Sequence, residues 1–298
     1  MPLQLASVDE QYKKFKDLKP EDVKSLMAWA EKQPHLPKIS ELEIILFLHS
    51  CYYSQEAAKT TIDNYYTCRT HCPEFFTNRV PDAALQTAIN TGLYYILPGC
   101  NSDGHRVIYC RLVDIDPTKY VFSEQLKLFT MIVDTWLLQE GTMPGHIIVF
   151  DMEGVSFGHL TKLGLMTMKK YMYYLQEAMP VRLKGLHFIH VVPFMDKILA
   201  IMKPFMKKEL MDVLHLHTEG MDSFYKFVPK KCLPKDMQGE APSIEDMHKF
   251  MEKDIKGNAD YFKQEEKQRV DETKRPGKAK NAGDLFGMEG TFKKLAID

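Results

Sequence analysis

The chain has 298 residues, of which 45% are hydrophobic and 27% are charged, so it is long enough to bury a substantial core. Its 39 Lys and Arg residues balance its 40 Asp and Glu residues to a formal net charge of -1. This balance excludes a global electrostatic attraction to nucleic acid, and we expect no nucleic-acid partner.

The first six residues run into Asp9, Glu10 and the Lys13-Lys14 pair without the apolar central region of a secretory signal. No run of about 18 apolar residues is present that could span a bilayer. The six cysteines are scattered, without a Cys-x-x-Cys pair or a cluster of metal ligands. We therefore expect a soluble cytoplasmic protein with reduced thiols, no metal and no cofactor. Such a protein can still make transient contact with a membrane surface.

The first predicted unit is helical. Pro20 is typical of a helix start, Pro34 and Pro37 interrupt the pattern, and the residues from Ser40 to Glu43 resemble a capping box. Apolar residues then recur at helical spacing as far as residue 66. The pattern predicts an N-terminal helical unit over residues 1–82.

Residues 83–248 have a different pattern, in which short apolar or aromatic runs alternate with helical segments. The predicted strands are 106–115, 146–152, 185–192 and 213–217. The predicted helices between them are 123–140, 160–179 and 193–211. Strands that alternate with helices imply crossover connections, so the predicted fold class is α/β with a mainly parallel sheet.

Beyond residue 248 the apolar density falls and Lys and Glu dominate. Residues 249–298 are therefore predicted to form a charged C-terminal helix followed by a flexible tail from Gly277 onward. Within that tail, Phe286, Phe292 and Leu295 are expected to dock only weakly.

A G-x-S-x-G pattern at Gly154, Ser156 and Gly158 is the sharpest sign of an enzyme, because it lies between a predicted strand and a predicted helix. A nucleophile elbow turns directly off its strand, whereas three residues intervene here, and no glycine-rich oxyanion loop precedes it. We interpret the pattern as a turn capped by Ser156, with a serine hydrolase as the remote alternative. Its candidate partners are Asp196 or Asp212 with His215 or His217.

Two other pairs of polar residues could carry chemistry. Asp151 and Glu153 share one strand face and could form an acid/base pair, although such carboxylates more often pair with cations. His187 and His190 are three residues apart, which places them on opposite faces of a strand and prevents them from sharing one metal ion. We assign no catalytic residue and no metal ligand.

Residues 193–211, named the gate segment here, carry two adjacent apolar stripes. One contains Phe194, Ile198, Ile201, Met202 and Phe205, and the other contains Met195, Leu199, Met206 and Leu210. Periodicity is compatible with a buried core helix, or with a lid that has one stripe over a cavity and the other towards lipid. Pro204 removes one helical hydrogen bond and permits a kink.

Several ordered strings resemble the CRAL-TRIO lipid-binding family, in the branch of alpha-tocopherol transfer protein and cellular retinaldehyde-binding protein. The strings lie at 44–48, 65–74, 106–117, 150–154, 180–189, 202–205, 215–217 and 233–239. The resemblance covers roughly residues 20–250 and implies a helical unit followed by a lipid-binding domain with a parallel sheet floor, flanking helices and a mobile gate helix.

The implied function is that of an intracellular carrier, which binds one tocopherol-, retinoid- or carotenoid-like lipid and exchanges it with membranes when the gate opens. A phospholipid- or phosphoinositide-binding transfer or sensor protein is the alternative. The resemblance implies, by position, which residues would line the cavity. They are Phe129, Val133, Trp136, Phe150, Tyr171, Tyr174, Leu186, Phe188, Ile198, Ile201, Met202 and Phe205. The partly polar Trp136, Tyr171 and Tyr174 would suit a ligand with a ring or a hydroxyl group.

The resemblance also implies that basic residues beside the gate hold a headgroup, with phosphoinositides as candidate partners. The positions concerned are Arg182, Lys184, Lys207 and Lys208. Glu209 and Val213 stand where further basic residues are expected, which weakens this part of the resemblance. The sequence identifies no protein partner.

Overall fold

A computed structural model describes residues 3–99 and 101–287. The α-helices are α1 Val8–Lys14, α2 Pro20–Glu31, α3 Glu41–Ser50, α4 Gln55–His71, α5 Pro73–Phe76, α6 Ala83–Thr91, α7 Phe122–Glu140, α8 Phe157–Leu160, α9 Leu165–Glu177, α10 Met195–Met202, α11 Lys208–Asp212, α12 Met221–Tyr225, α13 Ile244–Gly257, α14 Ala259–Glu265 and α15 Ala282–Phe286. The strands are β1 Gly92–Ile96, β2 Arg106–Leu112, β3 His146–Asp151, β4 Leu183–Ile189 and β5 Leu214–Leu216. Short 3-10 turns lie at Lys203–Phe205, Lys230–Cys232, Lys235–Met237 and Glu272–Lys274.

The strands form a single five-stranded sheet in the order β1-β2-β3-β4-β5. β2, β3, β4 and β5 are parallel to one another, and β1 pairs with β2 in the antiparallel direction. The predicted α/β class and mainly parallel sheet are therefore confirmed. β1 was not predicted, because it is only five residues long and begins at Gly92, the C-cap of α6, so no loop separates it from the helix.

The register of the sheet places rows of side chains on one face. Ile108 pairs with Ile148, which pairs with Leu186, and Cys110, Phe150 and Phe188 form the next row. Successive strand residues point to opposite faces, so these two rows share a face and His187 lies on the other. We name the face that carries Leu186 and Phe188 the cavity face.

The N-terminal unit packs around its own smaller core, which includes Leu26, Ile45 and Ile62. Ser40 caps α3 as predicted, since its Oγ accepts from the Glu43 backbone N–H and the Glu43 carboxylate accepts from the Ser40 backbone N–H. Among the described residues, no helix combines the length and apolar composition needed to cross a bilayer.

Two predicted helices are interrupted in the structure. The helix expected over 160–179 shares only Leu160 with α8, is interrupted over residues 161–164, and continues as α9 with Gly164 as its N-cap. The helix expected over 193–211 divides into α10, a 3-10 turn that contains Pro204, and α11. The single gate helix is therefore wrong, because Pro204 supplies no hydrogen-bond donor and Met206 adopts an extended backbone.

The C-terminal residues pack against both preceding units. α13 contacts β1, and the predicted boundary at residue 248 falls inside this helix. His248 Nε2 lies 2.6 Å from the Ile89 carbonyl oxygen. Phe286 is buried against Tyr173, with 5.5 Å between ring centroids, so this part of the predicted tail docks firmly. Phe292 and Leu295 lie outside the described residues.

A buried cluster of four charged side chains joins the three predicted regions. Arg79 Nη1 lies 2.8 Å from Asp134 Oδ2 on α7 and 2.7 Å from Glu265 Oε2 on α14. Arg69 on α4 contacts the same two carboxylates. Because two arginines meet two acids, the cluster is formally neutral and its charges are paired.

Candidate functional site

An apolar cavity of about 180 Å³ lies between the cavity face of the sheet and the helices that cover it. The sheet supplies one wall, in which the Phe150 and Phe188 rings stack with 5.3 Å between centroids. α7, α9 and α10 supply the others. The cavity therefore lies between the two layers that the α/β fold provides.

Many of the predicted lining residues lie on this wall. They are Phe129, Phe150, Tyr171, Leu186, Phe188, Ile198 and Met202. Ile198 and Met202 are one helical turn apart on α10, so these two members of the first stripe face the cavity. Met195, Leu199 and Leu210 of the second stripe are buried in the core. The second stripe therefore faces protein, and not an outer surface, in this structure.

The remaining predicted lining residues lie elsewhere. Val133 and Trp136 continue along α7 beyond the end of the cavity, where Trp136 packs edge-on against His146. Tyr174 is buried towards the N-terminal unit, with its ring 5.1 Å from that of Phe76. Ile201 and Phe205 are partly buried at the side of the gate segment, outside the wall.

The sequence analysis missed another part of the wall. Phe122, Gln125 and Leu126 precede Phe129 by seven, four and three positions on α7, so they share its face. Helical periodicity could have identified these residues, but it could not show towards which end of α7 the cavity extends. Tyr94 also lines the cavity, and it belongs to the unpredicted β1.

The polar side chains at this end of the wall are mostly paired with one another. The Tyr94 hydroxyl donates to Gln125 Oε1 at 2.9 Å, and Gln125 Nε2 donates to Thr91 Oγ1 at 2.6 Å. Burial raises the pKa of Tyr94 well above its ordinary value, so the phenol is neutral. This pair therefore adds no charge to the cavity wall.

A charged group lies at the carboxyl ends of β3 and β4. Arg111 Nη1 is 3.4 Å from Asp151 Oδ2 and 3.3 Å from Glu153 Oε2, and His190 Nδ1 is 2.7 Å from Asp151 Oδ1. The ligand atoms of Asp151, Glu153 and His190 lie within 4.8 Å of one another, as a metal site would require. Arg111 already supplies the positive charge that a cation would bring, so this arrangement favours ion pairing.

The G-x-S-x-G residues have structural roles. Gly154 has a φ of +82°, which favours glycine, and a Cβ on Gly158 would lie 2.7 Å from Pro117 Cγ. The Ser156 N–H donates to His159 Nδ1 at 3.0 Å, and Ser156 Oγ lies 3.0 Å from the same nitrogen. This contact between Ser156 and His159 was not predicted.

The histidines proposed as partners for Ser156 lie away from it. His215 and His217 stack on His187, with 4.7 Å and 5.2 Å between ring centroids, on the sheet face opposite the cavity. His159 Nε2 has no hydrogen-bond partner in the described part of the chain, so no acid orients it. The geometry lacks the base-to-acid contact that an activated serine requires.

Three of the four predicted headgroup residues make contacts within the fold. Arg182 donates to the His49 carbonyl at 2.7 Å and stacks over Tyr52, and Lys184 donates to the Tyr52 hydroxyl at 2.8 Å. Lys207 forms an ion pair with Glu177, and Lys208 begins α11. Phosphoinositide binding by these residues stays a prediction.

Comparison with known proteins decides the family. Residues 90–239 match the CRAL/TRIO domain, and residues 15–84 match a domain described as "Pinta-like, UBA domain". The chain belongs to the CRAL-TRIO family of lipid-binding and lipid-transfer proteins. The first match covers half of the chain and coincides with the sheet and the helices that enclose the cavity.

Named relatives agree with this membership. The chain is 28% identical to "Alpha-tocopherol transfer protein-like" of Mus musculus over 75% of this chain and 66% of that protein. It is 23% identical to "Clavesin-1" of Xenopus laevis over 67% of this chain and 60% of that protein. The chain therefore spans less than two thirds of the length of these relatives. The solved structure titled "Crystal structure of Sfh5" aligns at 13% identity and a TM-score of 0.40, over 72% of this chain and 81% of that one.

Proposed function

We propose that this chain is a non-enzymatic carrier that encloses one hydrophobic lipid and exchanges it with membranes. The proposal rests on the cavity wall. An apolar space lies between the sheet and the helices, and Ile198 and Met202 of the gate segment close it on one side. Tocopherol-, retinoid- and carotenoid-like lipids are the candidate cargo, and the cytoplasm with transient membrane contact is the proposed location.

The energetics favour such a role. Transfer of roughly 300 Å² of apolar ligand surface from water, at about 25 cal/mol per Å², contributes about 7–8 kcal/mol. The entropy lost on association reduces this figure, but the pre-formed aromatic wall limits the cost of ordering side chains. Membrane and cavity are both apolar, so the cargo is exchanged between similar environments.

The contacts of the gate segment are suited to opening. Gln176 on α9 donates through Nε2 to the Phe205 carbonyl at 2.9 Å and accepts from the Lys207 N–H at 2.7 Å through Oε1. These polar contacts can be replaced by water or by lipid headgroups when the segment moves. The breaks at Pro204 and Met206 divide the segment into short elements, so α10 can move without unfolding α11.

An exposed apolar surface lies beside the gate segment, and we infer that it contacts the membrane. Phe157 is 50% exposed, Leu165 is 60% exposed and Met166 is 41% exposed. The Phe157 ring packs on Phe194 of the gate segment at 5.6 Å, and Lys197 Nζ lies 5.0 Å from its centroid. Insertion of Phe157 into a bilayer would therefore disturb the gate directly.

The test compares Phe157→Asp with Phe250→Asp. Phe250 is 49% exposed on α13 near β1, at the sheet edge far from the gate, so it is a matched control. The measured quantity is the transfer of α-tocopherol, all-trans-retinol and β-carotene from donor to acceptor vesicles. It is determined by extracting these lipids from the acceptor vesicles.

We expect Phe157→Asp to lower the transfer rate at least tenfold for whichever lipid is carried, because a carboxylate resists entry into the bilayer, while Phe250→Asp keeps the rate. Equal loss in both variants would contradict the membrane surface. Transfer of phospholipid alone by the unmodified chain would favour the phospholipid alternative over this proposal.

A further inference from the structure

His159, a polar side chain of the cavity wall, leaves one ring nitrogen without a partner in the described part of the chain. His159 is 3% exposed and lines the cavity, and its Nε2 is buried without a hydrogen-bond partner among residues 3–99 and 101–287. Buried polar atoms in native proteins are nearly always paired, so an unpaired one on a cavity wall points to a partner in the ligand.

The contacts of His159 fix which ring nitrogen carries the proton. The Ser156 backbone N–H can only donate, and it donates to His159 Nδ1 at 3.0 Å. Nδ1 therefore presents its lone pair. Burial lowers the pKa of His159, so the ring is neutral and its single proton resides on Nε2.

The position of the ring is held by its neighbours. Tyr120, also on the wall, packs edge-on against it with 5.3 Å between centroids. Meanwhile Tyr94 and Gln125 are bonded to each other, and Arg111 is paired with Asp151. The Nε2–H of His159 is thus a fixed donor without a partner in the described structure, whereas Tyr94, Gln125 and Arg111 are bonded to other side chains.

We propose that His159 Nε2–H donates a hydrogen bond to an oxygen of the bound lipid. The cargo is then a largely apolar molecule with a hydroxyl or carbonyl group that reaches His159, and a pure hydrocarbon of the same shape is disfavoured. This inference rests on the proposed carrier function and narrows it, because it selects oxygenated lipids within each candidate class.

The expected difference in affinity between an oxygenated lipid and a hydrocarbon follows from the free-energy cost of leaving a buried donor unpaired. A hydrocarbon leaves the Nε2–H unpaired beside it, whereas an oxygenated lipid supplies the missing acceptor, so the hydrocarbon binds about tenfold or more weakly. All-trans-retinol and axerophtene, the same polyene with a methyl group in place of the CH2OH terminus, differ in this one respect, and both can be followed by polyene absorbance or fluorescence.

The test measures the Kd of retinol and of axerophtene for the full chain, for His159→Asn and for His146→Asn. Asparagine can place Oδ1 where His159 Nδ1 accepts from Ser156, but it has no group at the Nε2 position. His146 is the matched control, because both of its ring nitrogens are buried and unpaired in the described structure and it lies outside the cavity wall. Thermal unfolding verifies that both variants fold.

We expect the unmodified chain to bind retinol at least tenfold more tightly than axerophtene. His159→Asn should lose this preference by weakening retinol binding alone, and His146→Asn should keep it. Equal affinity for the two polyenes in the unmodified chain, or a preference that survives in His159→Asn, would overturn the role of His159 and leave the carrier proposal intact. Failure of the unmodified chain to bind either polyene would count against the carrier proposal for retinoid-like lipids as well.

Discussion

Buried histidines make the stability of this protein sensitive to acid. Burial lowers the pKa of His146 and of His187 from 6.5 to about 3, with neighbouring histidines as the lesser cause. Above about pH 6.5 these rings are neutral in both the folded and the unfolded chain. As the pH falls from there towards 3, only the unfolded chain binds the protons, so the free energy of unfolding decreases.

We predict a slope of about 1.4 kcal/mol per pH unit for each such histidine between about pH 6 and pH 4. His146 tests this cleanly, because its ring nitrogens make no hydrogen bond in the described structure and Phe can replace its packing on Trp136. Urea unfolding of His146→Phe at a series of pH values should show the slope reduced by that amount. An unchanged slope would contradict the assignment of a neutral buried ring.

At the scale of elements, α14 is an integral part of the fold. Its Glu265 pairs with Arg69 and Arg79, whose side chains are 1% and 0% exposed. Removing one carboxylate from this neutral cluster leaves an uncompensated buried positive charge.

We predict that Glu265→Gln lowers the free energy of unfolding by about 3–5 kcal/mol, as measured by urea denaturation. Asp260→Asn on the same helix is the control, since Asp260 is 94% exposed and its pairing with Lys263 at 3.7 Å should contribute less than about 1 kcal/mol. Comparable losses in the two variants would show that the buried cluster has no special role.

The elements also show where sequence reasoning is limited. Strand positions and the capping box at Ser40 follow from local pattern, and the structure has both. The gate segment was predicted as one helix because its apolar periodicity continues through Pro204. Periodicity reports on side chains only, so it does not reveal that the proline backbone lacks an N–H donor. β1 was missed because it is five residues long and begins at the C-cap of α6, without a loop between helix and strand.

At the scale of the whole molecule, the family and the order of its units could be predicted from the sequence, since short strings in a fixed order carry that information. The extent of the cavity could not be predicted from the sequence. Val133 and Phe122 both share a face of α7 with Phe129, and only the packing of the complete fold determines that the wall extends towards Phe122. His159 was missed for a related reason, because its importance depends on which of its nitrogens the turn at Ser156 leaves unpaired.

Native mass spectrometry of the full chain after incubation with a membrane lipid extract tests the central claim most directly. We predict one oxygen-containing, largely apolar lipid for each chain. Leu186→Trp, which fills the cavity from the sheet, should lose this lipid, and Leu5→Trp, a change at a residue that is 60% exposed, should keep it. A chain that captures no lipid, or that captures it equally well after Leu186→Trp, would contradict a carrier whose cargo occupies this cavity.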